Sequence, residues 1–196
     1  MSVFQTYLQL GFFHIFNLQA YDHLVFLLAL CAPYAAAEWR RVVALVTSFT
    51  IGHSITLALA TLGFVQYNAR LIEILIPLTI LLTSLLNLRQ AGQDTRRQPL
   101  LWALPNLLAA VFGLIHGLGF SSYLRELLGQ SSRPLAELLA FNIGVELGQL
   151  LIVALILSVG FVVLRAARVA RRDWILVVSG AAGGIAVILL LQNLTT

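Results

Sequence analysis

The sequence predicts an all-α, polytopic membrane helix bundle of about six transmembrane helices. Of its 196 residues, 60% are hydrophobic and only 10% are charged, and the mean hydropathy is +0.93. Because soluble domains contain about 25% charged residues, this composition excludes an ordinary soluble enzyme and a disordered chain. One span needs about 20 apolar residues, so the length predicts a single integral membrane domain over residues 1–196.

Six apolar segments follow one another along the chain, separated by charged residues and by Pro or Gly. They cover residues 6–32, 42–65, 71–88, 100–120, 135–164 and 174–194. Backbone polar groups find no partner in hydrocarbon, so each segment is predicted to be a helix. Polar residues interrupt the first segment, among them Asp22 and His23, so it forms either one polar-faced helix or two helices with a break. Such a break must face protein or a water-filled cavity.

The positions of the arginines predict the orientation of the bundle. All 12 basic residues are Arg, and nine of them lie in loops one, three and five. Loops two and four contain the other three, which are Arg70, Arg125 and Arg133. The positive-inside rule therefore places loops one, three and five in the cytoplasm and both termini outside. Since arginine serves topology here, the pI near 9.8 does not indicate nucleic-acid binding. Residues 1–20 contain no Lys or Arg, so we expect no cleaved signal peptide.

Six ionisable side chains lie deep inside the apolar segments. They are the four histidines and two of the acids, namely His14, His23, His53, His116, Asp22 and Glu146. A charge at the centre of a bilayer costs about 2.5–3.5 kcal/mol, so two unpaired acids would cost about 5–7 kcal/mol. The acids therefore need partners, and the imidazoles are the available ones.

Imidazole and carboxylate groups are the usual ligands of Ni, Co and Zn, so the six side chains predict a divalent metal site inside the membrane. The single Cys31 excludes an internal disulfide and a site built from several cysteines. A proton pathway is one alternative for this set of residues. Hydrogen bonds between neighbouring helices are another.

Further polar residues support the predicted site. Asn142, Glu146 and Gln149 recur at helical spacing, so they form one polar stripe on one helix. Glu73 lies one turn into the third segment, and we expect it to form an ion pair with Arg70 near the membrane surface.

Two pairs of small residues at i, i+4 predict close helix contacts; they are Gly113 with Gly117 and Gly144 with Gly148.

Four stretches of the sequence form a recognisable set: GFFHIF…YDHLVFLLAL, TSFTIGHSITLALATLG, FGLIHGLGFSS and FNIGVELGQL. In this order they resemble the HupE/UreJ family of bacterial membrane proteins, above all its second branch, over roughly residues 8–165. The resemblance implies a multi-pass protein of the bacterial inner membrane with periplasmic termini. Members of the family are linked to hydrogenase and urease maturation and are regarded as nickel or nickel/cobalt permeases. The ligands implied by these motifs are His14, Asp22, His23, His53, His116, Asn142 and Glu146.

The sequence departs from the family pattern in two places. The family usually has five residues between the first His and the Asp-His pair, whereas seven residues separate His14 from Asp22 here. On a continuous helix, two extra residues rotate His23 by about 200° relative to His14. Either the helix is broken or His14 is not a ligand. The acid that often precedes the Asn of the third span is Leu86 here, while Glu73 and Asn87 stand where the family tends to have polar residues.

Three functions fit these observations. The first is a permease for a divalent metal ion, nickel before cobalt or zinc, which enters past Glu73 and leaves through a rearrangement of the first segment. The second is a membrane-embedded zinc hydrolase with Asp22 or Glu146 as general base. The third is a non-catalytic assembly factor whose buried metal stabilises the bundle. We expect the lipid bilayer and a metal ion as partners and no nucleic acid, with a homo-oligomer or metalloenzyme-maturation partners left open.

Overall fold

The computed structural model describes residues 2–17, 21–91, 104–129 and 133–195. All regular structure in these ranges is helical, which confirms the all-α class. The helices are α1 (Val3–Ile15), α2 (Asp22–Cys31), α3 (Trp39–Thr61), α4 (Ala69–Arg89), α5 (Leu104–Gly119), α6 (Ser121–Leu128), α7 (Pro134–Arg165) and α8 (Arg171–Thr195), with a 3₁₀ turn (Ala36–Glu38) before α3. Most of the third predicted loop, with Arg96 and Arg97, and the first residues of the fourth segment lie outside the described residues.

Four helices are long and apolar enough to cross a membrane, namely α3, α4, α7 and α8. A fifth span results if α5 and α6 are counted together, although they meet at a bend of 50°. The two helices of the first segment have 13 and 10 residues. At 1.5 Å per residue they are about 20 and 15 Å long, shorter than a bilayer core. The first segment is therefore broken, which decides between the two forms predicted for it.

The long helices pack in pairs, α3 against α5, α1 against α7 and α4 against α8. Glycine brings the backbones of the first two pairs together. A Cβ on Gly113 or Gly117 would lie 2.1 or 2.2 Å from a carbonyl oxygen of α3, and one on Gly144 would lie 2.0 Å from a carbonyl oxygen of α1. The predicted glycine pairs are thus confirmed as packing contacts. Gly52 and Gly11, which the sequence analysis did not single out, make equally close contacts from the opposite helices.

Large apolar side chains cover the outside of the bundle. On α7 they recur every fourth residue as Leu139, Ile143, Leu147, Leu151 and Leu155, each at least 38% exposed. Such a stripe would be a binding surface or a liability in water, but it is the ordinary surface of a helix in hydrocarbon.

One arginine of the fifth loop has a structural role besides its predicted topological one. The Arg171 guanidinium donates a hydrogen bond to Glu38 Oε2 at 2.9 Å and another to the Pro33 carbonyl oxygen. The same Glu38 oxygen accepts the Ala35 backbone N–H at 3.0 Å. These bonds tie the start of α8 to the segment that leads into α3.

The predicted ion pair between Glu73 and Arg70 is wrong: none joins them among the described residues, and the Glu73 side chain is exposed. The backbone of Glu73 carries the interaction instead. Pro77 lies inside α4 and has no N–H, so it leaves the Glu73 carbonyl without its helical partner. Asn193 Nδ2 of α8 donates to that carbonyl oxygen at 2.5 Å.

Candidate metal centre

The four histidines, which are far apart in the sequence, converge in the interior of the bundle. His14 lies in the last turn of α1, His23 in the first turn of α2, His53 in the middle of α3 and His116 near the end of α5. His53 and His116 are fully buried, and His23 and His14 are 5% and 9% exposed. The cluster therefore joins four helices at a place shielded from lipid and from water.

His23 is the centre of this histidine cluster. Its ring centroid lies 4.9 Å from that of His14, 5.3 Å from that of His116 and 6.2 Å from that of His53. Two overlapping sets of potential ligands result, His14 with His23 and His53, and Asp22 with His23 and His116. Within each set one ligand atom per residue lies within 4.8 Å of the others. Ligands about 2.0–2.2 Å from a tetrahedral ion stand about 3.3–3.6 Å apart, so either set would supply three of the four ligands after it contracts.

The histidine cluster contains five buried ring nitrogens that have no hydrogen-bond partner in the described part of the chain. They are Nε2 of His14, Nε2 of His23, Nδ1 and Nε2 of His53, and Nδ1 of His116. Each buried polar atom left without a partner costs about 1–3 kcal/mol. A bound cation would supply the missing partner to several of them together, so the residues present fit a divalent metal ion.

Asp22 is the only residue in the two ligand sets that offers a carboxylate. Its Oδ1 lies 3.2 Å from Nδ1 of His23. When Nδ1 donates its proton to this oxygen, the lone pair of His23 is on Nε2, which is the nitrogen without a partner. A carboxylate that receives the N–H of a ligating imidazole also fixes the ring and makes it a better donor to a metal.

The break in the first segment explains how His14 and His23 can meet although their spacing differs from that of the HupE/UreJ pattern. α1 ends at Ile15 with Phe16 as its C-cap, and α2 is a separate helix that begins at Asp22. The rotation calculated for a continuous helix therefore does not apply, and the rings of His14 and His23 meet. Leu18, Gln19 and Ala20, which stand where the family has its glycine, lie outside the described residues.

The structure does not bring Glu146, which the sequence predicts as a metal ligand, into the histidine cluster. Its Oε1 accepts a hydrogen bond from Thr47 Oγ1 at 2.7 Å. It belongs to neither set of potential ligands among the described residues and lines a groove between α3 and α7. Glu146 lies about three turns into α7, and its side chain bonds Thr47 of α3 rather than a histidine.

The two predicted supporting amides also lie on the contact between α3 and α7. Asn142 Oδ1 accepts from Ser54 Oγ at 2.8 Å, and Gln149 Oε1 accepts from Thr50 Oγ1 at 2.7 Å. Hydroxyl-to-amide bonds of this kind hold transmembrane helices together. The two ligand sets consist of histidine and aspartate only. Asn142, which the motif implies as a ligand, is held by Ser54 of α3.

Aromatic rings close the histidine cluster on the side of loops one and three. Phe26 and Phe49 contact His116 with centroid distances of 5.1 and 5.2 Å. Phe112 lies 6.2 Å from Phe26 and also lines a cavity of about 180 Å³ between α2, α3, α4 and α5. These three rings, the inner aromatic wall, separate the cluster from that cavity.

A second pair of rings closes the opposite side of the cluster. Phe120, at the bend between α5 and α6, lies 3.9 Å from His14, and Phe141 stacks on Phe120 at 5.3 Å. We call this pair the outer aromatic wall. Nothing in the sequence marks these phenylalanines, because a Phe that shields a site has the same sequence signal as a Phe in an ordinary apolar core.

A hydroxyl group that the sequence analysis also missed contacts the histidine cluster. Thr79 Oγ1 of α4 lies 2.9 Å from His116 Nε2. Threonine is common in membrane helices as an ordinary interhelix partner, so nothing in the sequence marks this one.

The sequence model of the family described as HupE / UreJ protein matches residues 1–193. The comparisons with curated proteins and with solved structures give no match. The family match extends the resemblance based on the histidine motifs to essentially the whole chain. The chain belongs to the HupE/UreJ family of membrane proteins.

Proposed function

We propose that this protein carries a divalent transition-metal ion, nickel or cobalt before zinc, across the bacterial inner membrane by way of the histidine cluster. The observation that carries the proposal is the set of partnerless ring nitrogens, contributed by four different helices to one enclosed space. Four imidazoles and one carboxylate suit nickel, cobalt or zinc, whereas calcium and magnesium prefer oxygen ligands.

The family supports the same class of ion. HupE/UreJ proteins are associated with nickel or cobalt transport or with urease maturation. In this chain the ligands lie on helices that pack against different neighbours, α1 against α7 and α3 against α5. A site divided among separate helix pairs can open when one pair moves relative to another, which a transporter requires.

The two aromatic walls give the transport proposal its route. The structure holds both walls closed, so an ion in the cluster is shielded on both sides by rings. Transport requires the outer wall to open while the inner wall stays closed, and then the reverse. The outer wall includes Phe120 at the 50° bend, where a swing of α6 would move it away from His14. The inner wall borders the cavity, which the arginine pattern predicts to lie on the cytoplasmic side.

A membrane-embedded hydrolase remains the second candidate, since it would use the same ligands. It would need a lateral opening through which a lipid-soluble substrate reaches the metal. The described residues form a groove between α3 and α7, but none of the four histidines lines it. The enclosure of the cluster favours transport for this reason.

Reconstituted vesicles test the proposal directly. Purified protein in liposomes that contain a nickel-sensitive dye should show uptake of Ni²⁺, and His53→Ala should lower the rate at least about tenfold because a buried ligand is lost. Ile188→Ala serves as the control, since this side chain is 54% exposed on α8. Uptake no faster than in protein-free vesicles, or equal uptake by His53→Ala, would overturn the proposal. Tight stoichiometric binding without uptake would favour the hydrolase or the assembly factor.

A further inference from the structure

Thr79 makes two short contacts that together determine which nitrogen of His116 carries the hydrogen. Its Oγ1 lies 2.7 Å from the Ile76 carbonyl oxygen of the same helix and 2.9 Å from Nε2 of His116. Thr79 and His116 are 4% and 0% exposed, so water does not compete for these bonds.

A hydroxyl group has one proton to donate, and a carbonyl oxygen can only accept. The Thr79 proton therefore points to Ile76, and the Thr79 oxygen offers a lone pair to the imidazole. The ring must donate to it, so Nε2 of His116 carries the hydrogen. A neutral imidazole has one N–H, which leaves the lone pair of His116 on Nδ1.

Nδ1 of His116 is buried and has no hydrogen-bond partner among the described residues, and His116 belongs to the ligand set with Asp22 and His23. We propose that Thr79 is a positioning residue that holds His116 in the tautomer whose free Nδ1 faces the metal ion. This inference rests on the proposed metal site. It gives His116 the same kind of orienting partner that Asp22 provides for His23.

The surroundings keep this arrangement in place. The bond from Thr79 to a carbonyl of its own helix fixes a side chain whose β-branch already restricts rotation. The contacts of Phe26 and Phe49 with the His116 ring limit its rotation from the other side. If the hydroxyl were absent, Nε2 would lose its acceptor, and the ring would have no reason to keep the proton there.

Three variants on α4 separate the role of the hydroxyl from that of packing. Thr79→Val keeps the shape and removes the oxygen, and Thr79→Ser keeps the oxygen. Thr83→Val removes a hydroxyl one turn away that donates to the Thr79 carbonyl at 2.8 Å. Loss of an orienting partner typically lowers metal affinity about 10–100-fold, so we expect this for Thr79→Val and less than about threefold change for the other two. Competition with a chromophoric chelator for Ni²⁺ measures the affinity.

The tautomer is measured separately, without metal. ¹⁵N NMR of protein labelled at histidine should show His116 with its proton on Nε2 in the wild type and in Thr79→Ser, and a changed signal in Thr79→Val. A proton on Nδ1 in the wild type would overturn the inference, even if Thr79→Val does not fold. Equal metal affinity of Thr79→Val and the wild type would also overturn it. If the wild type binds no Ni²⁺, the proposed function fails, while the NMR result still decides the tautomer.

Discussion

The imidazole rings of His14 and His23 lie 4.9 Å apart, although one lies in the last turn of α1 and the other in the first turn of α2. His23 also contacts His53 and His116, so the cluster is organised around one residue. This arrangement depends on the break between the two helices, because a continuous helix would turn the two rings in different directions.

We expect His23→Ala to weaken metal binding more than the loss of any other histidine. His23 belongs to both ligand sets, whereas His14 and His116 each belong to one. His23→Ala should lower the affinity for Ni²⁺ at least about 100-fold, and His14→Ala and His116→Ala about tenfold each, as judged by chelator competition in detergent. Gel filtration of each variant controls for folding. Equal losses in all three variants would contradict the central place of His23.

We expect Glu146→Gln to leave the affinity for Ni²⁺ within about threefold of the wild-type value, because Glu146 bonds Thr47 and belongs to neither ligand set. Asp22→Asn is the matched comparison, since it removes the carboxylate beside His23 and should weaken binding about 10–100-fold. Titration of both variants with the same chelator makes the test. If Glu146→Gln binds as poorly as Asp22→Asn, the sequence-based prediction of Glu146 as a ligand was correct after all.

We expect Gly117→Ala to destabilise the protein. The added Cβ would lie 2.2 Å from the His53 carbonyl oxygen, so α3 and α5 would have to separate, at a cost of about 1–3 kcal/mol. Gly180→Ala is the control, because a Cβ there meets nothing within 4 Å. Thermal unfolding in detergent should show a lower melting temperature for Gly117→Ala alone. Equal melting temperatures would mean that the two helices are not pressed together at this glycine.

We expect Phe112→Ala to speed the release of bound metal while leaving the metal ligands in place. The variant removes the ring of the inner aromatic wall that borders the cavity, so a chelator should strip Ni²⁺ at least about tenfold faster, which corresponds to about 1.4 kcal/mol in the barrier. Phe161→Ala, at a side chain 54% exposed on α7, is the control. Stopped-flow release into excess chelator measures both rates. Identical rates would show that the ion leaves by another route.

The sequence predicted the membrane bundle and four converging histidines because lipid makes polar side chains costly wherever they have no partner. It did not separate Asp22 from Glu146, since hydropathy and spacing give the depth of a residue but not the neighbour towards which it turns. Thr79 was missed for a different reason. A threonine is tolerated almost anywhere in a membrane helix, so its contact with His116 leaves no pattern in the sequence. α6 was missed because its eight residues form a polar-faced helix after the fourth apolar segment had ended.

The histidines belong to helices that pack in different pairs, and α2 contributes His23 from between α4, α7 and α8. A metal ion bound by these histidines would hold the helices together, because its coordination energy is available only while the helices keep one relative position. By thermodynamic reciprocity, anything that shifts the helices, membrane tension or a docking protein included, would then change the affinity for the ion by an equal free energy. Binding of the ion would in turn make the whole bundle more rigid.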